Sequence, residues 1–136
     1  MSNIHKSINF KKMNYLFLFT IALCFSCYEV ERNCNSFKTG TFESIITIEG
    51  KDYKSTFYRT LDLQVENFNG VIDSTKVRWL NDCEMVFKTI NPKNRAEQKD
   101  IHLKILTTTK NTYKFEYGYV GDINKQKGEA KRVNLK

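Results

Sequence analysis

Between Tyr53 and Phe68 the chain alternates apolar and polar residues almost without interruption. Tyr53, Ser55, Phe57, Arg59, Leu61, Leu63 and Val65 share one parity; Lys54, Thr56, Tyr58, Thr60, Asp62, Gln64 and Glu66 share the other. A period of two over that length excludes a helix. It specifies a half-buried β-strand, or two strands joined by a bend near Arg59-Thr60 that swaps the faces. Arg59 is the discordant residue, because it takes an apolar-face position between Phe57 and Leu61.

The same pattern recurs in shorter segments. Phe37 to Glu49 aligns Phe42, Ser44, Ile46 and Ile48, and Gly50-Lys51-Asp52 then reads as a turn. NFNG, residues 67–70, is a second hairpin signal. Further strands are expected over Thr75 to Asn81, Cys83 to Ile90, Ile101 to Thr109, Tyr113 to Val120 and, weakly, Gly128 to Leu135. The polar gap from Asn91 to Asp100 has room for one helical turn after Pro92, the single proline. No segment carries a helical stripe. Short connections favour sequential pairing, so the expected fold is all-β over residues 37–136: a small antiparallel up-and-down barrel or strongly curved meander of about seven or eight strands, lipocalin-like. A two-sheet sandwich is the alternative.

The segment before this domain is of another kind. Lys6, Lys11 and Lys12 precede an apolar run from Tyr15 to Phe25, YLFLFTIALCF, and Ser26-Cys27 follows. A basic lead, a short apolar middle and a small residue at the cut site are the parts of an export signal. The run is too short to span a bilayer, which takes roughly 20 apolar residues. Residues 1–26 therefore read as a lipoprotein signal peptide, Cys27 as the thiol that takes lipid, and residues 27–36 as a lipidated tether. Part of the formal net charge of +7 lies in this signal. Of the four cysteines, Cys24 leaves with the signal and Cys27 carries the lipid. Cys34 and Cys83 remain, and an exported chain meets oxidising conditions, so they are expected to form a disulfide around a loop of about 50 residues. Two free buried thiols are the alternative.

Little in the chain points to chemistry. There is no glycine-rich phosphate loop, and each scattered glycine fits a turn or bulge. The only histidines are His5, in the signal, and His102, on the polar parity of its strand. Neither a metal site nor a nucleophilic triad has its residues. Asp62, Glu66, Asp82 and Glu84 are the acids available for a carboxylate pair, with Asp62 and Glu66 assigned to the solvated strand face. The Tyr113, Phe115, Tyr117 and Tyr119 series has core spacing before it has the look of a base-stacking platform, so no nucleic-acid partner is expected. No catalytic residue, cofactor or metal is assigned. Arg59, Trp79 and Tyr117 are the candidate ligand or core residues. Arg59 has two readings: an arginine at a barrel rim or bend, paired with a buried acid or stacked on Trp79, or a charged group that holds an anionic head group inside a barrel.

Four stretches together carry a resemblance: FKTGTF (Phe37 to Phe42), RTLDLQVE (Arg59 to Glu66), VRWLNDCEMVF (Val77 to Phe87) and ILTTTKNTYKFEYGYVGD (Ile105 to Asp122). The chain resembles short bacterial lipoproteins of unknown function, Arg78, Trp79 and Cys83 being the most specific element. Some of these carry the label "DNA topoisomerase IV". That activity needs a DNA-cleaving tyrosine, a magnesium-binding acidic cluster and an ATP module, which do not fit in roughly 110 exported residues. The resemblance implies a non-enzymatic protein of the bacterial cell envelope, anchored to the membrane through lipid on Cys27. The outer membrane is the expected site, and Glu29 and Glu31 hint at its surface. Two functions are open: a β-barrel interaction or structural module that meets an envelope protein, or a tethered binder of a small apolar or anionic ligand.

Overall fold

The computed structural model describes residues 32–133. The signal, Cys27 and the first half of the tether, residues 27–31, lie outside them. Eight antiparallel strands close into a barrel in sequence order: β1 Gly40–Ile48, β2 Lys51–Arg59, β3 Leu63–Phe68, β4 Val71–Asn81, β5 Glu84–Thr89, β6 Ile101–Thr108, β7 Thr112–Tyr119 and β8 Gln126–Arg132. The expected all-β barrel is the observed fold. Closure comes from β1 pairing with β8, from Phe42 opposite Arg132 to Ile46 opposite Gly128. Register shifts between Trp79 and Asn81, and between Ile105 and Thr107, help the sheet to curl.

Tight turns explain why neighbouring strands pair in order. Asn69 (φ 51°) and Gly70 (φ 84°) form the β3–β4 turn in the left-handed region that Asn and Gly tolerate. Glu49 (φ 51°) and Gly50 (φ 77°) do the same between β1 and β2. That places the first turn one residue earlier than Gly50-Lys51-Asp52, and Lys51 and Asp52 belong to β2. The polar gap after Pro92 forms turns and bends without a helix.

The long alternating segment is two strands. β2 stops at Arg59, the chain bends through Thr60 to Asp62, and β3 starts at Leu63. Thr60 fixes the bend: its backbone N–H donates to the Leu63 carbonyl at 2.8 Å and its hydroxyl donates to Asp62 at 2.9 Å. The bend inverts parity. Arg59 pairs with Gln64 and Phe57 with Glu66, so Gln64 and Glu66 share the interior with Phe57 and Arg59. The single-strand alignment of Leu61, Leu63 and Val65 with Arg59 is thereby corrected: Leu61 is exposed, and Leu63 and Val65 take the opposite face of β3 from Gln64.

One end of the barrel is plugged. Cys34–Phe37 is a 3₁₀ turn with Cys34 and Phe37 fully buried, so residues 34–36 belong to the barrel domain rather than to the tether, and Phe37 does not start a strand. The Phe37 ring packs 5.1 Å from Tyr113 and 6.3 Å from Phe42, centroid to centroid. Cys34 is bonded to Cys83 at the β4–β5 turn, as expected from the cysteine count. Polar contacts fasten the rest. Arg132 donates to the Ser36 and Thr39 carbonyls. Lys38 pairs with Asp82 at 2.8 Å, and Arg32 Nη1 donates to the Ile105 carbonyl at 3.1 Å. Arg132, the last residue of β8, is thus a clasp for the plug. Above it, Phe42, Phe57, Val77, Met85, Ile105, Tyr113 and Ala130 form the core.

Candidate functional site

The barrel interior is greasy at the plug and mixed towards the other end. A cavity of about 140 Å³ begins where the two regions meet. Its walls are apolar on the β5–β7 side, with Phe87, Ile101, Leu103, Phe115 and Tyr117, and polar on the β2–β4 side, with Arg59, Gln64, Glu66 and Thr75. Ile46 and Ser44 of β1 close the ring. The volume matters because an apolar cavity of about 150 Å³ is large enough to take a benzene-sized body.

Gly128 keeps that space open on the β8 side. A Cβ there would lie 2.6 Å from the Phe115 ring and 3.0 Å from the Ile45 carbonyl oxygen. A side chain at 128 would push the Phe115 ring off its present position. The glycine therefore sets the shape of the interior as well as the bend of β8.

Arg59 is the dominant charge of the interior. It is 1% exposed. Its Nε donates to Gln64 Oε1 at 2.8 Å, and Nη1 reaches the Phe37 carbonyl at 3.5 Å. The guanidinium carbon lies 4.8 Å from the Phe57 ring centroid, 5.6 Å from Phe87, 5.8 Å from Phe42 and 6.0 Å from Tyr113. Four aromatic faces offset part of the cost of removing this cation from water. Among the described residues no carboxylate comes within ion-pair distance of it. Arg59 stands at the bend that ends β2, as one reading of the sequence has it, but it is buried, it is not stacked on Trp79, and its side-chain partner is an amide rather than an acid.

Hydroxyls with no partner among the described residues line the same cavity. Tyr113 Oη and Thr75 Oγ1 are buried and make no hydrogen bond there. Burial pushes the Tyr113 hydroxyl up from its ordinary pKa, against the pull of Arg59, so it stays a neutral O–H. Tyr117 is also pushed up, first by burial and then by the charge of Glu66. The Glu66 carboxylate accepts a hydrogen bond from Ser55. Unsatisfied buried hydroxyls are rare in folded proteins. Tyr113 Oη faces the Arg59 guanidinium without a well-formed hydrogen bond to it, and Thr75 lies on the wall of the same cavity, so the three form a polar pole there.

The remaining sequence candidates are dispersed. Trp79 lies below the cavity, against the core at the disulfide end, with Lys38 Nζ 5.2 Å from its ring centroid. His102 is on the outer face, where its Nε2 lies 3.2 Å from Glu84 Oε2, and Lys104 Nζ is 3.4 Å from Glu84 Oε1. Asp82 faces solvent at the plug. The four acids considered for a carboxylate pair therefore sit apart: Glu66 inside, Asp62 in the bend, Asp82 in a turn and Glu84 outside. Among the described residues no three His, Cys, Asp or Glu side chains gather as a metal site.

The outer triad has a measurable consequence. Burial opposes ionisation of Glu84, but the hydrogen bond with His102 and the charge of Lys104 outweigh it, so its carboxyl sits below the ordinary range. A depressed folded-state pKa adds stability above the unfolded value, about 4.3 for Glu, and that stability disappears as pH falls through the folded value. Glu84→Gln is expected to cost under about 1 kcal/mol at pH 7. It is also expected to flatten the fall in stability between roughly pH 5 and 3. Urea midpoints measured across that range check both.

The sequence pattern alone does not mark Gln64, Glu66, Thr75 and Tyr113 as ligand-facing residues. The bend at Thr60–Asp62 conceals the first two, because it moves polar-parity residues indoors. Fold and site together define a small closed β-barrel, plugged at one end, with a polar pole inside an otherwise apolar cavity. No protein-family model, curated protein or solved structure matches the chain.

Proposed function

We propose that this chain is a lipid-tethered β-barrel of the bacterial cell envelope, and that its barrel binds a small ligand through an anionic group placed on Arg59. The observation that carries the reading is a guanidinium 1% exposed at the wall of a cavity, with no acid beside it among the described residues. Buried charges are ordinarily paired. A carboxylate in the cavity would accept bidentate hydrogen bonds from Arg59 and would also meet the Tyr113 and Thr75 hydroxyls. The apolar wall of Ile101, Leu103 and Phe115 would take the body of the ligand. The site is a binding site rather than a catalytic one, a reading supported by the dispersion of the acids and by the outward position of His102.

The tether is supported by the sequence of Lys11-Lys12, the apolar run and Ser26-Cys27. From Cys27 to the buried Cys34 the chain can reach at most about 25 Å, so the barrel would stand close to the surface that holds the lipid. A clickable palmitate analogue should label the protein in cells, with the labelled form cleaved before Cys27, and Cys27→Ser should abolish the label.

The binding claim is tested by native mass spectrometry of the detergent-extracted protein. A small molecule should accompany the wild type and be absent from Arg59→Met. Arg59→Met removes the charge but leaves Gln64 Oε1 without its donor, at a cost of about 1–3 kcal/mol, so a urea melt of the variant is measured alongside to show that it is folded. Equal ligand content in the two proteins, or none in either, would leave the barrel as a module acting through its outer surface.

A further inference from the structure

The cavity holds a second charge. Glu66 lines it together with Arg59, yet no ion pair forms between them. The register explains the separation. Gln64 is opposite Arg59 and Glu66 is opposite Phe57, so Glu66 lies two residues further along β3. Two residues of strand are about 6.6 Å. Arg59 is therefore beside the plug, and Glu66 is one step nearer the end where β3 turns into β4. Glu66 is held by the Ser55 hydroxyl, a neutral partner. Among the described residues, neither of the two charges has an oppositely charged side chain within ion-pair distance.

Resting on the anionic-group reading above, we infer that the ligand is a small zwitterion: an amino acid with an apolar side chain, its carboxylate on Arg59, its ammonium towards Glu66 and its side chain against Leu103 and Phe115. Three features favour this over a plain carboxylate. A monocarboxylate on Arg59 would bring a negative charge towards Glu66 inside a poorly polar enclosure, where like charges repel strongly. A zwitterion answers both charges and leaves the cavity with no net charge to accommodate. Its two charged groups sit on one carbon, a spacing that fits between side chains projecting from positions two residues apart in the ladder. The cavity of about 140 Å³ has to take the two charged groups as well as the side chain, which limits the side chain to a short or branched aliphatic one.

Isothermal titration of the full-length protein with three probes of matched shape decides the matter: L-leucine, 4-methylpentanoate, which lacks the amine, and 3-methylbutylamine, which lacks the carboxylate. Leucine is expected to bind on the order of tenfold or more tighter than either. Glu66→Gln, which keeps an acceptor for Ser55, is expected to weaken leucine and strengthen 4-methylpentanoate, closing the gap. If 4-methylpentanoate binds the wild type as tightly as leucine, the zwitterion is wrong while the anionic-group reading stands. The zwitterion also fails, and the anionic group survives, if none of the probes binds but native mass spectrometry still shows a molecule lost in Arg59→Met. Equal binding of the amine, or no bound molecule by either method, overturns both. Should Glu66→Gln fail to fold, the wild-type ranking alone decides.

Discussion

Cys34→Ser combined with Cys83→Ser is expected to lower stability by about 4 kcal/mol, from the loop-closure entropy of a loop of this size. The bond spans 49 residues and ties the plug to the β4–β5 turn. Its loss acts first on the unfolded chain, which gains the freedom that the cross-link removed. It also acts on the folded barrel. The hydrogen bonds of Arg32 and Arg132, and the Lys38–Asp82 pair, would then have to hold Phe37 in place. For a domain of this size the melting temperature should fall by roughly 15–30 °C. Calorimetry of the double variant against wild type measures it. A shift of under about 3 °C would mean that the plug is held by its other contacts and that the bond is incidental.

Phe42→Ala is the substitution expected to cost most in the core, about 3–5 kcal/mol. Phe42 is fully buried. Its ring stacks on Phe57 at 5.1 Å and meets Tyr113 edge-on at 5.9 Å. The guanidinium carbons of Arg59 and Arg132 also lie over it, at 5.8 and 5.0 Å. Truncation removes the apolar contact and one of the aromatic faces that make a buried Arg59 tolerable. Phe68→Ala is the comparison. Phe68 sits at the far end, partly exposed, and touches Tyr53 at 6.3 Å. Its loss should cost under about 1 kcal/mol. Urea midpoints at unchanged slope distinguish the two.

Strand identity and order were legible because local signals are strong. Alternation marks β1, β2, β6 and β7, and the Asn69-Gly70 pair adopts the left-handed turn its residue types favour. The disulfide was legible from cysteine counting together with the expectation of an export signal. The polar pole was only half legible. Arg59 betrays itself by standing among apolar residues of its own parity. Gln64 and Glu66 do not, because polar residues on a polar parity look solvated until a bend turns them inward. The plug was hidden for the opposite reason. Cys34 and Phe37 belong to a short irregular segment with no periodicity, and only the three-dimensional contacts with Tyr113 and Phe42 place Phe37 in the core.

Joining β8 to β1 has an effect on neighbours as well as on the barrel itself. An open sheet would present a row of free backbone donors and acceptors on which another chain could grow as a further strand. Here every strand has a partner on both sides. Neighbouring copies would therefore have only side chains to offer one another, and strand-by-strand polymerisation would first require prising the ring open at one of its seams.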